Sequence, residues 1–225
     1  MIITIGGIKG GVGKSLVAIN LTVIRALLKK RVLLVDGDEQ GTAGDWAEHR
    51  VGLGIKTPWT TVRLRAKALR SEVLKLSNDY DDVIIDCGGR DTSSLRAALS
   101  VSDVFLVPFQ PKSFDIWTSS KVVELIQDAQ AINEKLRAYS FINCGGVRGR
   151  DNEEAQQIIA ENNDIQLLSN VICLRKAFSN SSALGLGVCE HKKDIKAIQE
   201  IRDLHDAVFG VSATCGRRKK CVKKM

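Results

Sequence analysis

Short, continuous apolar runs alternate along the chain with longer segments whose apolar residues recur at helical spacing. The runs predict strands at Ile2–Ile5, Val32–Val35, Val83–Ile85, Val104–Val107, Tyr139–Ile142 and Leu167–Ile172. The helical segments are Lys14–Leu28, Lys67–Leu76, Ser93–Ser100, Ile116–Leu136, Asn152–Glu161 and Ile195–Phe209, with an irregular stretch around Gly52–Pro58. Because the strands are apolar throughout, the pattern predicts an α/β fold: a mostly parallel twisted sheet with helices on both faces.

The polar residues that directly follow the strands are the first candidates for a functional site. In open α/β sheets, ligands bind outside the carboxyl ends of the strands. The first strand is followed by the glycine-rich run GGIKGGVGKS, the second by Asp36-Gly37-Asp38-Glu39-Gln40, and the third by Asp86-Cys87-Gly88-Gly89. The pattern therefore places a phosphate-binding loop and two acidic loops at one edge of the sheet.

The glycine-rich run ends in Gly13-Lys14-Ser15, the ending of a phosphate-binding P-loop. The strict pattern wants its first glycine at Ile8, so the match is to a variant loop, Lys9–Ser15. Glycines let backbone N–H groups point at phosphate oxygens, and the following helix adds a positive N-terminus. The predicted nucleotide contacts are Gly10, Gly11, Val12, Gly13, Lys14, Ser15 and Leu16. Lys14 supplies charge to the outer phosphates, and the Ser15 hydroxyl is suited to ligate Mg²⁺.

The third strand ends in Val83-Ile84-Ile85-Asp86, which has the Walker B pattern of a strand that delivers one carboxylate to Mg²⁺. The loop after it, Cys87–Asp91, is interpreted either as a switch that senses the nucleotide or as an ordinary strand-to-helix turn.

The second lysine of the loop, Lys9, is not needed to build a P-loop, and with it the chain resembles the deviant Walker A ATPases, the ParA partition proteins and MinD. The resemblance implies an ATP-sandwich homodimer in which Lys9 reaches the partner's nucleotide. It also implies that Asp38 orients the attacking water and that Asp36 supports the Mg²⁺ shell, although Asp36 also suits a helix cap. Asn143 is expected either to contact adenine or to form a turn. The implied cofactors are ATP/ADP and Mg²⁺.

Composition separates the folded part from the end of the chain. The chain has 225 residues and a net charge of +7, of which six positive charges fall in the last nine residues without an acid. We therefore predict one ATPase domain over residues 1–211 and a basic, flexible tail over 212–225. The six cysteines form no C-x-x-C pair. The absence of a secretory or membrane-spanning pattern predicts a cytoplasmic protein. The resemblance to the ParA proteins implies that it is nucleoid-associated.

The resemblance implies a DNA-segregation ATPase whose dimer binds nonspecific DNA and is released when a centromere-binding adaptor stimulates hydrolysis. Basic residues on the folded part are the candidate phosphate contacts: Arg148, Arg150, Arg175, Lys176, Lys192, Lys193 and Lys196. For Arg63, Lys67 and Arg70, at helical spacing, a solvated face or a partner contact is favoured. The main alternative is a MinD-like positioning ATPase at the membrane, but the tail offers only Cys221, Val222 and Met225 for insertion.

Overall fold

The computed structural model describes residues 1–90, 92–111, 116–161 and 164–217. It contains seven strands, all parallel, in the order β3-β2-β4-β1-β5-β6-β7. Their bounds are β1 Ile2–Ile5, β2 Val32–Asp36, β3 Thr60–Arg63, β4 Asp82–Asp86, β5 Val104–Phe109, β6 Arg137–Gly145 and β7 Gln166–Cys173. The α/β class predicted from the continuous apolar strands is confirmed.

Helices connect the strands and cover both faces of the sheet. They are α1 Lys14–Leu27, α2 Thr42–Gly52, α3 Ala66–Leu76, α4 Ser93–Leu99, α5 Ile116–Ile132, α6 Asp151–Ala160, α7 Lys176–Ala183, α8 Val188–His191 and α9 Ile195–Arg217. One apolar core packs α1, α2 and α7–α9 on one face. A second core packs α3–α6 on the other. The sheet is therefore buried on both sides, as parallel strands require.

The pattern missed several short elements. The structure adds α2 and strand β3 on either side of the irregular stretch expected around Gly52–Pro58, and it also adds α7 and α8. In α2 the buried face includes Arg50 as well as Trp46, so its apolar periodicity is broken. Strand β3 lies at the sheet edge and is only partly buried, which leaves its sequence without a continuous apolar signature.

A buried cation on α2, Arg50, binds to α8 and to the loop before it. The Arg50 guanidinium donates to both carboxylate oxygens of Glu190, at 2.7 and 2.8 Å. It also lies over the stacked rings of Trp46 and Trp59. Because the charge is paired and the guanidinium also donates to two backbone carbonyls, its burial is compensated.

The last helix is longer than the sequence pattern predicted. It continues through Arg217, past residue 212, where the flexible tail was expected to begin. The remaining basic residues, 218–225, lie outside the described residues, so that part of the tail prediction stays a prediction. In the described part of the chain, none of the helices combines the length and apolarity that a membrane span needs.

The carboxyl ends of the three central strands lie side by side. In the sheet register, Ile5 of β1 is level with Asp86 of β4, and Asp86 is level with Asp36 of β2. The P-loop and both predicted acidic loops consequently start from adjacent points on one edge of the sheet.

Candidate functional site

A cavity of about 700 Å³ opens at this edge of the sheet. Three loops line it: the P-loop, the loop after β2 and the loop after β4. Its described lining residues are Gly10, Gly11, Gly13, Lys14, Ser15, Leu16, Gly37, Asp38, Glu39, Gln40, Thr42, Gly88, Gly89, Arg90, Thr92, Ser93 and Ser94. Six of the seven nucleotide contacts predicted between Gly10 and Leu16 line the cavity, all except Val12, and residues of two further loops line it with them. Asp91 lies outside the described residues.

The backbone carbonyls of the P-loop are held by side-chain donors. Asn143 Nδ2 donates to the Val12 carbonyl at 2.7 Å, and Gln110 Nε2 donates to the Gly11 carbonyl at 2.8 Å. Lys14 Nζ donates to the Lys9 carbonyl at 2.7 Å. With these carbonyl oxygens occupied, the loop is fixed in a conformation that leaves its N–H groups available to an anion.

Two positions must be glycine because neighbouring atoms leave no room for a side chain. Gly13 has a φ of +82°, and a Cβ there would lie 2.4 Å from Asn143 Nδ2. A Cβ on Gly89 would lie 2.6 Å from the Gly10 Cα. The loop after β4 therefore packs directly on the P-loop, so a ligand that moves one loop presses on the other.

Asp86 is the most perturbed carboxylate of the site. Its side chain is fully buried, and neither oxygen has a hydrogen-bond partner among the described residues. Burial raises the pKa of Asp86 to about 7, while the nearby Ser15 hydroxyl and the Lys14 ammonium act in the opposite direction. A buried carboxylate without a partner is costly unless a cation or a ligand completes its surroundings.

Lys14 is buried beside that carboxylate. Burial lowers the pKa of its ammonium, and the charges of Asp86 and Asp38 oppose this shift. A cation held in this way, next to free backbone donors, is suited to bind the outer phosphates of a nucleotide.

Asp36 anchors the loop after β2. One of its oxygens accepts from the Asp38 N–H at 3.1 Å, and the other accepts from the Gly44 N–H in the first turn of α2 at 2.7 Å. Burial raises the pKa of Asp36, and these two N–H donors counter that effect. Of the two roles expected for Asp36, the structure shows the hydrogen bond that caps α2. Any support of a Mg²⁺ shell by Asp36 would be indirect, through the loop after β2.

Asp38 lies in the cavity wall. Its Oδ1 accepts from the Gln40 N–H at 3.2 Å, and a Cβ on Gly88 would lie 2.8 Å from that oxygen. The carboxylate thus lies between the loop after β2 and the loop after β4, in the wall of a cavity that the P-loop also lines. This is a suitable place from which to orient a small molecule such as water.

Asn143 was expected to contact adenine or to form a turn. The structure shows its amide donating to the P-loop, and its Oδ1 is buried without a partner among the described residues. Asn143 is also missing from the described residues that line the cavity. Gln110, which performs a similar task, was not predicted, although it directly follows β5 and the strand-end rule points to that position.

The predicted basic contacts fall into two groups. Arg148, Arg150, Lys176, Lys192, Lys193 and Lys196 are exposed. Arg175 instead forms an ion pair with Glu200 at 2.7 Å, and it is only 15% exposed. The hydrogen bonds that the Arg175 guanidinium donates to the Glu200 carboxylate raise the pKa of Arg175. Because its charge is already neutralised within the fold, Arg175 is a poor candidate for a DNA contact.

Comparison with known proteins identifies the sequences that this chain resembles. Residues 3–188 match the sequence profile described as "CobQ/CobB/MinD/ParA nucleotide binding domain". The chain is 27% identical over 190 residues to the maintenance of carboxysome distribution protein A of Halothiobacillus neapolitanus, covering 83% of this chain and 85% of that protein. It is 31% identical over 180 residues to the chromosome partitioning protein ParA of Myxococcus xanthus, covering 60% and 62%.

Among solved structures, the septum site-determining protein MinD of Pyrococcus horikoshii, complexed with Mg-ADP, has the same fold. The TM-score is 0.71 at 19% identity, over 94% of this chain and 96% of that one. At this identity the likeness concerns the fold alone.

Asn143→Asp tests the fixing of the P-loop. The variant keeps the side-chain shape but cannot donate to the Val12 carbonyl, and it adds a negative charge beside the loop. We expect the Kd for ATP to rise by about ten- to a hundredfold, measured by calorimetry. Asn152→Asp is the matched control, because Asn152 pairs with Gly146 at the same strand end without touching the P-loop. An equal change in both variants, or none in Asn143→Asp, would contradict this assignment.

Asp86→Asn tests the cost of the buried carboxylate. The folded pKa of about 7 lies above the ordinary 3.8. Between these values the folded chain holds a proton that the unfolded chain has released, so stability falls as pH rises from about 4 to 7. We expect Asp86→Asn to be more stable than the wild type by about 2 to 4 kcal/mol at pH 8.

The difference should shrink towards pH 4, where the wild-type carboxyl is protonated. Thermal unfolding of the nucleotide-free proteins across this pH range measures it. Parallel stability profiles for the two proteins would contradict the assignment.

Proposed function

We propose a function for this chain from one premise: it belongs to the CobQ/CobB/MinD/ParA family of nucleotide-binding domains. We infer that it is an ATPase that converts ATP and water to ADP and phosphate, slowly alone and faster with a partner. ATP binding drives the formation of a sandwich homodimer, the dimer binds nonspecific DNA, and hydrolysis releases it. In this cycle the protein segregates or positions a cargo over the nucleoid.

One observation carries the proposal: the P-loop, Asp38 and the glycine pair Gly88–Gly89 line a cavity at the carboxyl edge of the sheet, and the buried carboxylate of Asp86 lies beside the P-loop residues Lys14 and Ser15. Each part supplies a different requirement of phosphoryl transfer, which depends on positioning and electrostatic stabilisation. The P-loop and Lys14 bind the phosphate chain, because the loop glycines and Lys14 line the cavity.

The chemistry of the site fits Mg²⁺. The two buried oxygens of Asp86 lack a partner among the described residues, and the Ser15 hydroxyl lies beside them. No group of three or more His, Cys, Asp or Glu side chains suited to a metal occurs in the described ranges. Ser15 and Asp86 would therefore hold the ion together with water and phosphate oxygens, as Mg²⁺ prefers, and the ion would neutralise phosphate charge.

Asp38 is assigned to the attacking water. Its carboxylate accepts a hydrogen bond from the water and turns the oxygen lone pair towards the terminal phosphorus. The water oxygen bonds to the phosphorus as the bond from phosphorus to the bridging oxygen breaks, and ADP takes that electron pair. One proton of the water stays on the attacking oxygen, and the other passes to another oxygen of the phosphate product. Gly88 and Gly89 contact Asp38 and the P-loop closely, so they are suited to report whether the terminal phosphate is present.

Lys9 is assigned to the partner's nucleotide. Among the described residues that line this chain's own cavity, Lys9 does not occur, while its carbonyl holds Lys14. The position at the front of the P-loop supports a role across the dimer, where its charge would stabilise a second ATP.

The exposed basic residues support DNA binding. Arg148 and Arg150 lie on the loop after β6, and Lys176 begins α7. Lys192, Lys193 and Lys196 are exposed around the start of α9. Unpaired surface cations neutralise phosphates without regard to sequence, so binding should weaken steeply with salt.

The test is DNA binding by the Asp38→Ala protein. This variant should retain ATP because its rate of hydrolysis should fall by about a hundredfold. We expect it to bind a random-sequence duplex with ATP, not with ADP, and to lose binding as salt rises. Lys9→Ala added to this variant should remove ATP-dependent dimers and DNA binding together. Glu48→Ala, an exposed carboxylate on α2 outside the cavity, is the control.

Anionic liposomes provide the competing target in the same experiment. ATP-dependent liposome binding without DNA binding would contradict the proposal and favour a membrane-associated positioning ATPase. DNA binding that is independent of nucleotide would contradict the proposed cycle.

A further inference from the structure

A second recess lies between helices α3 and α4, next to the nucleotide cavity. It has a volume of about 270 Å³, and its lining residues in the described part of the chain are Lys67, Arg70 and Ser71 of α3 with Ser93 and Ala97 of α4. We call it the α3–α4 groove.

The groove carries positive charge that the fold does not neutralise. Lys67 and Arg70 are exposed, and neither forms an ion pair within the described ranges, which omit Asp91 and 112–115. By contrast, Lys75 on the same helix pairs with Glu72 at 2.9 Å, and Arg96 of α4 pairs with Asp128 at 3.1 Å. The two unpaired cations face the same recess, where a carboxylate would find both at once.

The groove also has an apolar side. Lys67, Arg70, Ser71 and Leu74 follow the spacing of one helix face, and Leu74 is 46% exposed at its end. Across from them, Ala97 lies in the groove wall and is only partly buried. An occupant that presents acidic side chains to α3 and a small apolar side chain to Ala97 and Leu74 would complement this surface.

The groove is physically joined to the nucleotide cavity. Ser93 lines both. Its neighbour Ser94 accepts a hydrogen bond from the Ala66 N–H at the start of α3, at 2.9 Å. The residues before α3 are tied to Asp36, because the Leu64 N–H and the Arg65 guanidinium both donate to the Asp36 carbonyl. A segment that contacts both α3 and α4 would therefore act on the loop after β2 and on the loop after β4, which carry the carboxylates of the site.

We infer that the α3–α4 groove docks an acidic, amphipathic segment of a partner protein, and that docking changes the rate of hydrolysis through Ser93 and the loop after β4. This inference rests on the proposed ATPase function. A peptide is favoured over duplex DNA because the recess has the size of a few side chains and includes an alanine wall. The exposed basic residues assigned to DNA follow β6 and β7, at the opposite end of the sheet order from β3 and β2.

A random twelve-residue peptide library displayed on phage would be panned against the intact ATP-loaded protein. We expect acidic sequences to be enriched. A synthetic enriched peptide should bind the wild type and the control Lys75→Glu. Its affinity should fall by about tenfold or more when Lys67→Glu and Arg70→Glu are combined.

The milder pair Lys67→Gln and Arg70→Gln should lose affinity as well, and so should the peptide with glutamine in place of each glutamate. The bound peptide should change ATP turnover in the wild type and not in the double variants. ATP affinity and turnover without peptide should be unchanged in both double variants, and these readouts test the proposed ATPase separately.

Three outcomes overturn the docking inference: no acidic enrichment, equal peptide binding by the double variants, or loss of duplex DNA binding with unchanged peptide binding. The last outcome would make the groove a nucleic-acid surface. Absence of ATP binding and turnover in the wild type would instead refute the proposed function, and it is seen before any peptide is added.

Discussion

The site depends on one constraint: the P-loop must present its N–H groups to the cavity, so its carbonyl oxygens must be bound elsewhere. Lys14, Gln110 and Asn143 supply the three donors that do this, from the loop itself, from the residue after β5 and from β6. Gly13 must lack a side chain for Asn143 to come so close. The conformation of the phosphate-binding loop is thus determined by strands that lie on one side of β1, while the acidic loops come from β2 and β4 on the other.

The second consequence is electrostatic. Lys14, which lines the cavity, and Asp86 beside it are both buried, so desolvation raises the pKa of the acid and lowers that of the base. Without a ligand, the desolvation of these two groups lowers the stability of the folded protein. A phosphate chain with Mg²⁺ would provide Lys14 with an anion and Asp86 with a cation, so ligand binding and stability are coupled at the same two groups.

Much of the architecture could be predicted because it depends on local pattern. Continuous apolar strands fix the parallel sheet, and strand-end carboxylates such as Asp36 and Asp86 fall next to the P-loop by topology. The rest depends on partners that are distant in the sequence. Arg175 resembles any surface arginine until Glu200, 25 residues later, is placed against it. From the sequence, Asn143 suits either a turn or a contact with the adenine base. Only the fold shows that its amide donates to the carbonyl of Val12, 131 residues away. Helix α2 was missed because a buried Arg50 interrupts its apolar face.

The central claim is that this cavity binds a nucleotide through its phosphate chain. Calorimetric titration of the protein with ATP, ADP and AMP in the presence of Mg²⁺, beside the Lys14→Ala variant, tests it most directly. The account predicts tight binding of ATP and ADP, much weaker binding of AMP, and loss of ATP binding in Lys14→Ala. Equal affinity for AMP and ATP, or undiminished ATP binding by the variant, would contradict it.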